Sequence, residues 1–393
     1  MNVLHVTSTI SRRGGGVSSY VWGLARQQAR AGIKLTIAAI DDGLPALDAA
    51  PCGEVVIAPP TGPRALGWSK LLAHQLASII PKMDLVHIHA LRAVVNRDVR
   101  RIAVRHSKPL IISPHGQLYP QVLARNRVRK ALLARLFVDA DLKAASCLHA
   151  TSKTEAEHIK AYGLRRPVAV IPIGVDADAY HLELEQARDA VNRRYPALDG
   201  YRRILVLTLL HPKKGLERLA IAWGRLSKAF KEWRLVIAGP DDGYEAQSRA
   251  AFALHAPADS VLWMGPVYGR EKAELLAGCD LFVLPSDWEN FGIVVIEALA
   301  AGIPAITTTG SPWKELSQRG CGWWVRPTAE ILAKTLATAM ATEQSNLRSM
   351  GERGRQLAYE KYTWDRCGAQ MIKLYETIIR GEKWPGFTRD FHR

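Results

Sequence analysis

The stretch that decides the fold is residues 286–297, which read Ser-Asp-Trp-Glu-Asn-Phe-Gly-Ile-Val-Val-Ile-Glu. A strand-like apolar run, 280–285, precedes it, and an alanine-rich helical pattern, 294–301, follows it. Gly292 lies where a strand-to-helix turn would place the start of that helix. The N–H groups and the dipole of a helix start favour an anion, so the stretch predicts an anion-binding turn at the end of a strand.

Two carboxylates, Glu289 and Glu297, stand on either side of this turn. The second falls on a helical pattern made otherwise of Val, Ile, Ala and Leu, so it must face a polar group. Two interpretations are open. The glutamates contact a ligand, or one caps the helix and the other is buried with ordinary hydrogen-bond partners.

Length and composition are those of a globular protein of about two domains. The chain has 393 residues, too many for a single hydrophobic core. Its N-terminus enters a strand pattern without a charged leader, and no uncharged apolar run reaches the roughly 18–20 residues of a membrane-spanning helix. The five cysteines are scattered and odd in number, which predicts reduced thiols. We therefore expect a cytoplasmic protein.

The net charge of +16 is concentrated in one segment. Residues 92–135 contain eleven Lys or Arg and a single acid, Asp98. Such a segment suits nucleic acid, an anionic membrane surface or a phosphorylated substrate, or it is a solvated face without a partner. No aromatic residues alternate with the basic ones to stack on bases, so we expect no nucleic-acid partner.

Short β-branched runs alternate with helical patterns through most of the chain, which predicts parallel sheets covered on both faces. The predicted strands are 2–8, 33–40, 54–58, 84–90, 109–114, 147–152, 168–173, 203–210, 233–240, 261–267, 280–285, 304–309 and 322–325. The series breaks at 174–200. We predict an α/β fold of two doubly wound, Rossmann-like domains facing across a cleft. Their bounds are 1–180 and 181–364, and a helix in 365–393 crosses back to the first domain.

Ligands of such sheets bind beyond the carboxyl ends of the strands, so residues just after strands are the site candidates. Gly14, Gly15 and Gly16 follow the first strand, where they form either a ligand-binding or a merely tight turn. Lys213 and Lys214 follow the first strand of the second domain and suit a diphosphate, or are simply solvated.

Histidines also stand at strand ends. His115 follows the fifth strand within Ser-Pro-His-Gly and would point into the cleft, although a lone histidine is more often structural. His87 and His89 have a spacing that can chelate a metal ion. No carboxylate or thiol cluster accompanies them, so we interpret them as structural and predict no metal site.

The motifs in their order resemble the retaining glycosyltransferases of family four, which have the GT-B fold. The resemblance covers nearly the whole chain. Among its motifs is the pair Glu289 and Glu297, which match the E-x(7)-E motif of that family. The other matching stretches are Gly14-Gly15-Gly16, Pro114-His115-Gly116, 171–176, Lys214-Gly215, 237–239, 284–286, 301–304 and 362–364.

The resemblance implies a function and a role for each matched residue. A hexose-type sugar would pass from a UDP- or GDP-linked donor to the acceptor without a metal ion or cofactor. His115 would lie near the transferred sugar, and Glu289 would hold that sugar. The donor-binding residues would be Gly15, Gly16, Lys214, Asn290, Phe291, Gly292, Ile293 and Glu297, the last of them at the ribose.

One position departs from the family. Where the family usually has an arginine that pairs with the diphosphate, this chain has Leu209. A leucine cannot supply that charge, and a lost charged contact typically costs a few kcal/mol. Either another cation, Arg12, Arg13 or Lys213, replaces it, or donor binding is weak; we expect the replacement.

A basic amphipathic helix is predicted over 121–137, and it suits an anionic membrane face. Its cations at the acceptor side are Arg125, Arg127, Arg129 and Lys130. We therefore expect a peripheral protein of the cytoplasmic, inner-membrane face, with a glycan or lipid-linked acceptor in polysaccharide or lipopolysaccharide assembly. The alternatives are a sugar-nucleotide epimerase of the same fold and a noncatalytic nucleotide-sugar-binding protein.

Overall fold

The computed structural model describes residues 1–47, 53–125, 128 and 133–384. The chain divides into two compact units. Unit 1 comprises Met1–Gly174 and Trp364–Arg393, and unit 2 comprises Val175–Thr363. Each unit contains one sheet whose strand pairs are all parallel.

Unit 1 is built on a seven-stranded sheet with the order β3-β2-β1-β4-β5-β6-β7. Its strands are β1 Asn2–Thr7, β2 Lys34–Ile40, β3 Gly53–Ala58, β4 Leu85–His89, β5 Leu110–Ser113, β6 Cys147–Ala150 and β7 Val168–Val170. Its helices are α1 Gly16–Arg30, α2 Lys70–Ile79, α3 Val94–Arg105, α4 Pro120–Ala124, α5 Asp139–Ala144 and α6 Lys153–Ala161.

Unit 2 is built on a six-stranded sheet with the order β10-β9-β8-β11-β12-β13. Its strands are β8 Arg202–Leu207, β9 Trp233–Ala238, β10 Val261–Gly265, β11 Leu281–Leu284, β12 Ala305–Thr308 and β13 Gly322–Val325. Its helices are α7 Leu184–Arg194, α8 Leu216–Gly224, α9 Glu245–His255, α10 Gly269–Ala277, α11 Ile293–Ala300, α12 Glu315–Gln318, α13 Ala329–Ala341 and α14 Gln344–Lys361.

The last helix, α15 (Trp364–Ile379), belongs to unit 1 and packs along α1. Its apolar stripe buries Met371 and Leu374. Gly23 of α1 and Gly174 are both needed at this contact, because a Cβ on either would lie within 2.5 Å of the Trp364 ring. Glycines therefore let the indole of Trp364 lie directly against the backbone of unit 1.

The predicted α/β fold with parallel sheets is confirmed, and each predicted strand forms. The strands end up to three residues earlier than predicted, because the turn residues that follow them were included. The break at 174–200 contains one α-helix, α7, and two short 3₁₀ helices, Ala177–Tyr180 and Pro196–Leu198. The predicted continuous helix over 121–137 is interrupted: α4 ends at Ala124 and Arg125 is extended with ψ 127°, while residues 133–138 are helical again and lead into α5. Residues 126, 127 and 129–132 lie outside the described residues.

The two faces of the unit 1 sheet differ in chemistry. Alternate residues of the central strands face an apolar core, for example Leu4 and Val6 of β1 and Val86 and Ile88 of β4. The residues between them on the opposite face include His5, His87, His89, Ser113 and His149, all of them buried. Side chains of α1 and α15 contact these histidines, so the polar face is enclosed within unit 1.

The cysteines that the structure describes (Cys147, Cys279, Cys321 and Cys367) are free and buried, as expected for reduced thiols. Cys52 lies outside the described residues. Within the described part of the chain, no helix is both long and apolar enough to cross a membrane.

Candidate functional site

The stretch 286–297 forms the loop and first helix after β11. Gly292 is the residue before α11 and has φ 80°, a left-handed conformation that a side chain disfavours. A Cβ here would also meet Leu284 at 3.3 Å and the Trp313 ring at 3.4 Å. The glycine therefore permits an abrupt strand-to-helix turn, which directs the first N–H groups of α11 out of the carboxyl end of the sheet.

Glu289 lies in this loop and is almost fully buried. Its carboxylate forms an ion pair with the Lys214 ammonium and accepts a hydrogen bond of 2.6 Å from the Ser286 hydroxyl. Burial by itself would raise the pKa of Glu289, but Lys214, Lys213 and these hydrogen bonds outweigh it and lower the pKa below its ordinary value. The carboxylate is therefore ionised and acts as an anchor for the lysine.

The loop after β8 brings Lys214 to Glu289. Residues Pro212–Lys214 form a 3₁₀ turn that ends at Gly215, whose φ is 68°. A Cβ on Gly215 would lie 2.2 Å from the carbonyl oxygen of Pro285, so only glycine allows this approach of the two loops. The backbone of Asp287 also donates to the Lys213 carbonyl at 2.7 Å. The lysine and the glutamate thus meet at the switch point between β8 and β11.

Lys213 is the second cation of this turn. Its ammonium lies 4.2 Å from the centre of the Trp288 ring, a cation–π contact. Burial first, and then the charge of Lys214, lower the pKa of Lys213. Leu209, at the position of the arginine usual in the family, is 39% exposed. Leu209 and Lys213 both lie in the loop that follows β8.

Glu297 is held on α11 with its two oxygens in different environments. Oε1 accepts hydrogen bonds from the Tyr180 hydroxyl at 2.9 Å and from the Lys272 ammonium at 2.6 Å. Oε2 is buried and has no hydrogen-bond partner among the described residues. Burying a carboxylate oxygen without a donor is costly, so Oε2 is an acceptor that a ligand hydroxyl would complete.

Sequence reasoning missed Tyr180 and Lys272. Tyr180 lies in the break at 174–200, which was interpreted only as a connection between domains. Lys272 lies on α10 with no special local pattern. The one usable signal was that a buried Glu297 needs a cationic or hydroxyl partner, but the sequence does not say which one.

The other predicted donor-binding residues of this stretch have separate positions. Phe291 is buried, and its carbonyl accepts a hydrogen bond of 2.5 Å from the Trp313 indole. The Phe291 ring packs on the same indole, which is itself buried. Asn290 is partly buried, and Ile293 is the first residue of α11.

In unit 1, the glycine turn after β1 has the expected strained geometry. Gly15 has φ 53° and ψ −128°, a conformation essentially limited to glycine, and Gly16 begins α1. Arg12 and Arg13 form the 3₁₀ turn before it and are both exposed. The turn thus presents the start of a long helix at the carboxyl end of β1, beside the switch point between β1 and β4.

His115 follows β5 in a left-handed conformation with φ 50°, which is rare for a residue with a side chain. The turn is held by Glu155, whose carboxylate accepts hydrogen bonds from the backbone N–H groups of Gly116 at 2.6 Å and Thr151 at 2.7 Å. The His115 Nε2 lies 3.3 Å from Nδ1 of His89. Burial first, and then His149, lower the pKa of His115 to about 3, so the ring is neutral.

The ring nitrogens of His5, His87 and His89 lie within 4.8 Å of one another, a spacing that a metal ion could bridge. Each of these rings already hydrogen-bonds to protein groups through both nitrogens. The sequence also contains two Asp-x-Asp pairs, at 139–141 and at 176–178. Asp141 forms an ion pair with Arg100, and Asp178 accepts a hydrogen bond from the Tyr359 hydroxyl.

Of the predicted basic patch, the structure describes only Arg125, which follows α4 and is exposed. Arg127, Arg129 and Lys130 lie outside the described residues.

Comparison with known proteins agrees with this fold. The family described as "Glycosyltransferase Family 4" matches residues 14–179, and "Glycosyl transferases group 1" matches residues 188–357. Anabaena HepE, solved in complex with UDP and glucose, superposes with a TM-score of 0.78 at 19% identity over 96% of this chain and 100% of that one. Two doubly wound units of this kind define the GT-B class. The chain belongs to the family-four glycosyltransferases.

Curated relatives cover most of the chain at low identity. An uncharacterized glycosyltransferase of Methanocaldococcus jannaschii is 22% identical over 93% of this chain and 95% of its own length. A GDP-mannose-dependent α-(1-6)-phosphatidylinositol monomannoside mannosyltransferase of Mycobacterium tuberculosis is 24% identical over 81% of this chain and 85% of its own length.

Proposed function

We propose that this glycosyltransferase transfers a hexose-type sugar from a UDP- or GDP-linked donor with retention of configuration, and without a metal ion or cofactor. The nucleotide binds to unit 2. Glu297 binds the ribose, and Lys214, with the start of α11, binds the diphosphate. Glu289 holds the sugar and anchors Lys214. In unit 1, the proposed donor contacts are His115 and the Gly15–Gly16 turn.

The observation that carries this proposal is the unpartnered oxygen of Glu297. Tyr180 and Lys272 fix the carboxylate through Oε1, so Oε2 is held in one orientation. Oε2 is buried and has no donor within the described chain. A ribose hydroxyl supplies the missing donor, and a buried carboxylate makes a strong hydrogen bond to it.

The arrangement of cations supports diphosphate binding without a metal ion. Lys214 and Lys213 lie at the carboxyl end of β8, and the first N–H groups of α11 face the same sheet edge after β11. Two ammonium groups and a helix start offset the charge that develops on a departing nucleoside diphosphate. Lys213 serves in place of the arginine that Leu209 replaces.

The proposed acceptor is a glycan or lipid-linked molecule at the cytoplasmic membrane face, used in polysaccharide or lipopolysaccharide assembly. The mycobacterial relative is named for a phosphatidylinositol mannoside acceptor, which is a membrane lipid. The basic segment 92–135 supports the same setting, since clustered Lys and Arg bind anionic lipid surfaces. Flotation with anionic and with neutral vesicles tests it: failure to bind anionic vesicles at low salt rules out the membrane surface.

The deciding experiment is a panel of UDP-, GDP- and ADP-sugars assayed for nucleoside diphosphate release with a membrane extract as the acceptor source. We expect release from one UDP- or GDP-sugar and no loss of activity with a chelator. Formation of an altered nucleotide sugar without acceptor would show an epimerase instead. Nucleotide binding without any turnover would show a noncatalytic binding protein.

The Glu297→Ala variant tests the nucleotide site itself. We expect nucleoside diphosphate affinity, measured by calorimetry, to fall by about 10- to 100-fold, because a charged hydrogen bond is lost. The exposed Glu330→Gln is the matched control and should bind as the wild type does. Unchanged affinity in Glu297→Ala would place the nucleotide elsewhere.

A further inference from the structure

The buried polar face of the unit 1 sheet forms a chain of hydrogen bonds that leads to His115. Its members come from β1, β4, β5, β6, α1, α15 and the loops after β5 and β7, and each is enclosed within unit 1 except the partly exposed His115. We call this set the histidine chain: Ile171, His149, Ser113, His87, Tyr375, Gln28, His5, His89 and His115.

The first half of the chain has only one possible direction. His149 Nε2 lies 2.8 Å from the carbonyl oxygen of Ile171, which can only accept, so Nε2 carries the proton and Nδ1 is an acceptor. Ser113 must therefore donate its hydroxyl proton to His149 Nδ1, at 2.7 Å. The Ser113 oxygen then accepts from His87 Nε2, also at 2.7 Å.

The same logic fixes the step to α15. Because His87 Nε2 carries the proton, His87 Nδ1 accepts, and the Tyr375 hydroxyl donates to it at 2.5 Å. The Tyr375 oxygen keeps a lone pair for a further donor. The Gln28 amide interacts with this hydroxyl and opposes the rise in the Tyr375 pKa that burial causes, yet its Nε2 lies outside good hydrogen-bond geometry. This link is the weakest in the chain.

The interaction with Tyr375 orients the Gln28 amide, with its nitrogen toward Tyr375 and its Oε1 toward His5. Gln28 Oε1 accepts from His5 Nε2 at 2.7 Å, which leaves His5 Nδ1 as an acceptor. His5 Nδ1 accepts from His89 Nε2 at 2.9 Å. His89 Nδ1 is then an acceptor too, and the contact of 3.3 Å with His115 Nε2 requires that nitrogen to donate.

The burial of the rings agrees with neutral tautomers. Burial lowers the pKa of His5 to about 4 and that of His149 to about 4, and it lowers the pKa values of His87 and His89 as well. A neutral imidazole has one donor nitrogen and one acceptor nitrogen. The tautomer of each ring therefore fixes which nitrogen of the next ring must donate.

We propose that the histidine chain fixes His115 as the neutral Nε2–H tautomer, so that its Nδ1 presents a lone pair to a ligand hydroxyl. His89, His5 and Gln28 are then positioning residues, which act on the ligand only through His115. The tautomer itself follows from unit 1 alone. Its use in sugar recognition rests on the proposed function.

This tautomer restricts the chemistry of His115. A neutral ring with an outward lone pair accepts a hydrogen bond from a hydroxyl group, and it cannot donate one to a phosphate oxygen through Nδ1. The ligand group that it selects is therefore a hydroxyl of the sugar rather than the diphosphate. In the proposed function, the diphosphate of the donor is bound instead by the lysines of unit 2.

The experiment is histidine ¹⁵N NMR on the full chain at neutral pH, with the His115 signals assigned from their loss in His115→Asn. We expect a protonated Nε2 and an unprotonated Nδ1 in the wild type. In His89→Leu the acceptor for Nε2–H is gone, and we expect mixed tautomers. His89→Asn places an amide oxygen near the position of Nδ1 and should restore the wild-type pattern.

Two results would overturn the proposal: an Nδ1–H tautomer of His115 in the wild type, or an unchanged wild-type pattern in His89→Leu. If His89→Leu does not fold, Gln28→Met takes its place, because methionine is of similar size and removes the amide that orients His5. We expect mixed tautomers of His115 in Gln28→Met. An unchanged wild-type pattern in that variant would overturn the proposal. Zinc added to the wild type should leave the signals in place. A loss of these NMR signals in proportion to the added zinc would show a metal site at His5, His87 and His89 and overturn the proposal.

Activity gives the second readout. With the donor found in the nucleotide-sugar panel, we expect His89→Leu to lower kcat about tenfold, the effect of one lost hydrogen bond, and His89→Asn to recover most of it. Nucleoside diphosphate affinity should not change in either variant. If no sugar nucleotide is turned over, the proposed function fails while the tautomer result still decides this inference.

Discussion

The two buried polar regions of this protein, the histidine chain of unit 1 and the charged cluster of unit 2, differ in how their hydrogen-bonding groups find partners. The histidine chain of unit 1 is neutral, and its donors and acceptors run in one direction from Ile171 to His115, with the contact between Gln28 and Tyr375 as its weak link. The cluster in unit 2 is charged: Lys214 pairs with Glu289, and Glu297 keeps Oε2 without a partner. A matched neutral network stabilises and orients, whereas a charged cluster with an unmatched acceptor is prepared for a ligand.

The difference also predicts which property each region controls. Breaking a neutral, satisfied network leaves a buried group without a partner and lowers the free energy of unfolding. Removing an unmatched acceptor costs little stability but removes a ligand contact. Each prediction below separates stability from nucleotide affinity in this way.

The largest expected effect is that of Lys214→Met. Loss of the ammonium removes the diphosphate contact and leaves Glu289 buried without its cation, so we expect kcat/KM to fall about 100-fold or more. Breaking the buried pair should also destabilise unit 2 by about 3 kcal/mol. Steady-state kinetics and thermal unfolding measure the two losses, with the exposed Lys228→Met as the control.

The double variant Lys214→Met, Glu289→Gln distinguishes the two roles of the lysine. Since the second change removes the unpaired charge, it should restore most of the stability and none of the activity. Recovery of activity in the double variant would contradict a direct role of Lys214 in donor binding.

His149→Leu breaks the neutral chain at its anchor. It removes the donor to Ile171 and the acceptor of Ser113, and we expect the free energy of unfolding to fall by about 2–4 kcal/mol. Nucleoside diphosphate affinity, which we assign to unit 2, should stay within about twofold. A stable His149→Leu variant with weakened nucleotide binding would show that the histidine chain controls nucleotide affinity rather than stability.

Glu297→Gln makes the opposite change in unit 2. Its amide removes the unmatched charge at Oε2 but also weakens the ion pair of Oε1 with Lys272, so we expect the two effects to offset each other and the unfolding temperature to change little. Nucleotide affinity should fall about tenfold, since a neutral acceptor binds a hydroxyl less strongly. A marked loss of stability would show that Oε2 is matched in the folded protein.

Leu209→Arg tests whether Lys213 replaces the missing arginine. In the wild-type background we expect a gain in nucleotide affinity below about threefold, because Lys213 already supplies a cation. In a Lys213→Met background, Leu209→Arg should raise the nucleotide affinity about tenfold relative to Lys213→Met alone. Equal gains in both backgrounds would show that Lys213 does not compensate.

The smallest effect is the pH dependence of the Glu289 ion pair. Because the folded protein lowers the pKa of Glu289 from 4.5, the pair contributes stability above that value and loses it as the pH falls through the lowered pKa. The unfolding temperature of the wild type relative to Glu289→Gln should therefore be highest near neutral pH and should fall below about pH 4.5. A constant difference would contradict this sign.

Much of the fold was readable from the sequence. The apolar β-branched runs predicted every strand, since such runs have few alternatives to a parallel strand covered on both faces. Turn chemistry gave Gly292 and Gly215 because left-handed turns need glycine. The predicted helix over 121–137 is interrupted at Arg125, because hydrophobic periodicity does not reveal a local break in the backbone.

The sequence by itself determined the sheet-forming runs, the glycine turns and the pair Glu289 and Glu297, because these depend on local conformation and spacing. Only the tertiary structure decided that Tyr180 and Lys272 hold Glu297, and that His5, His89 and Gln28 lie behind His115. Those contacts join residues far apart in the chain, and a hydrogen bond between them depends on the positions of several strands and helices at once. In 286–297 the sequence named the residues, and the folded chain supplied their partners.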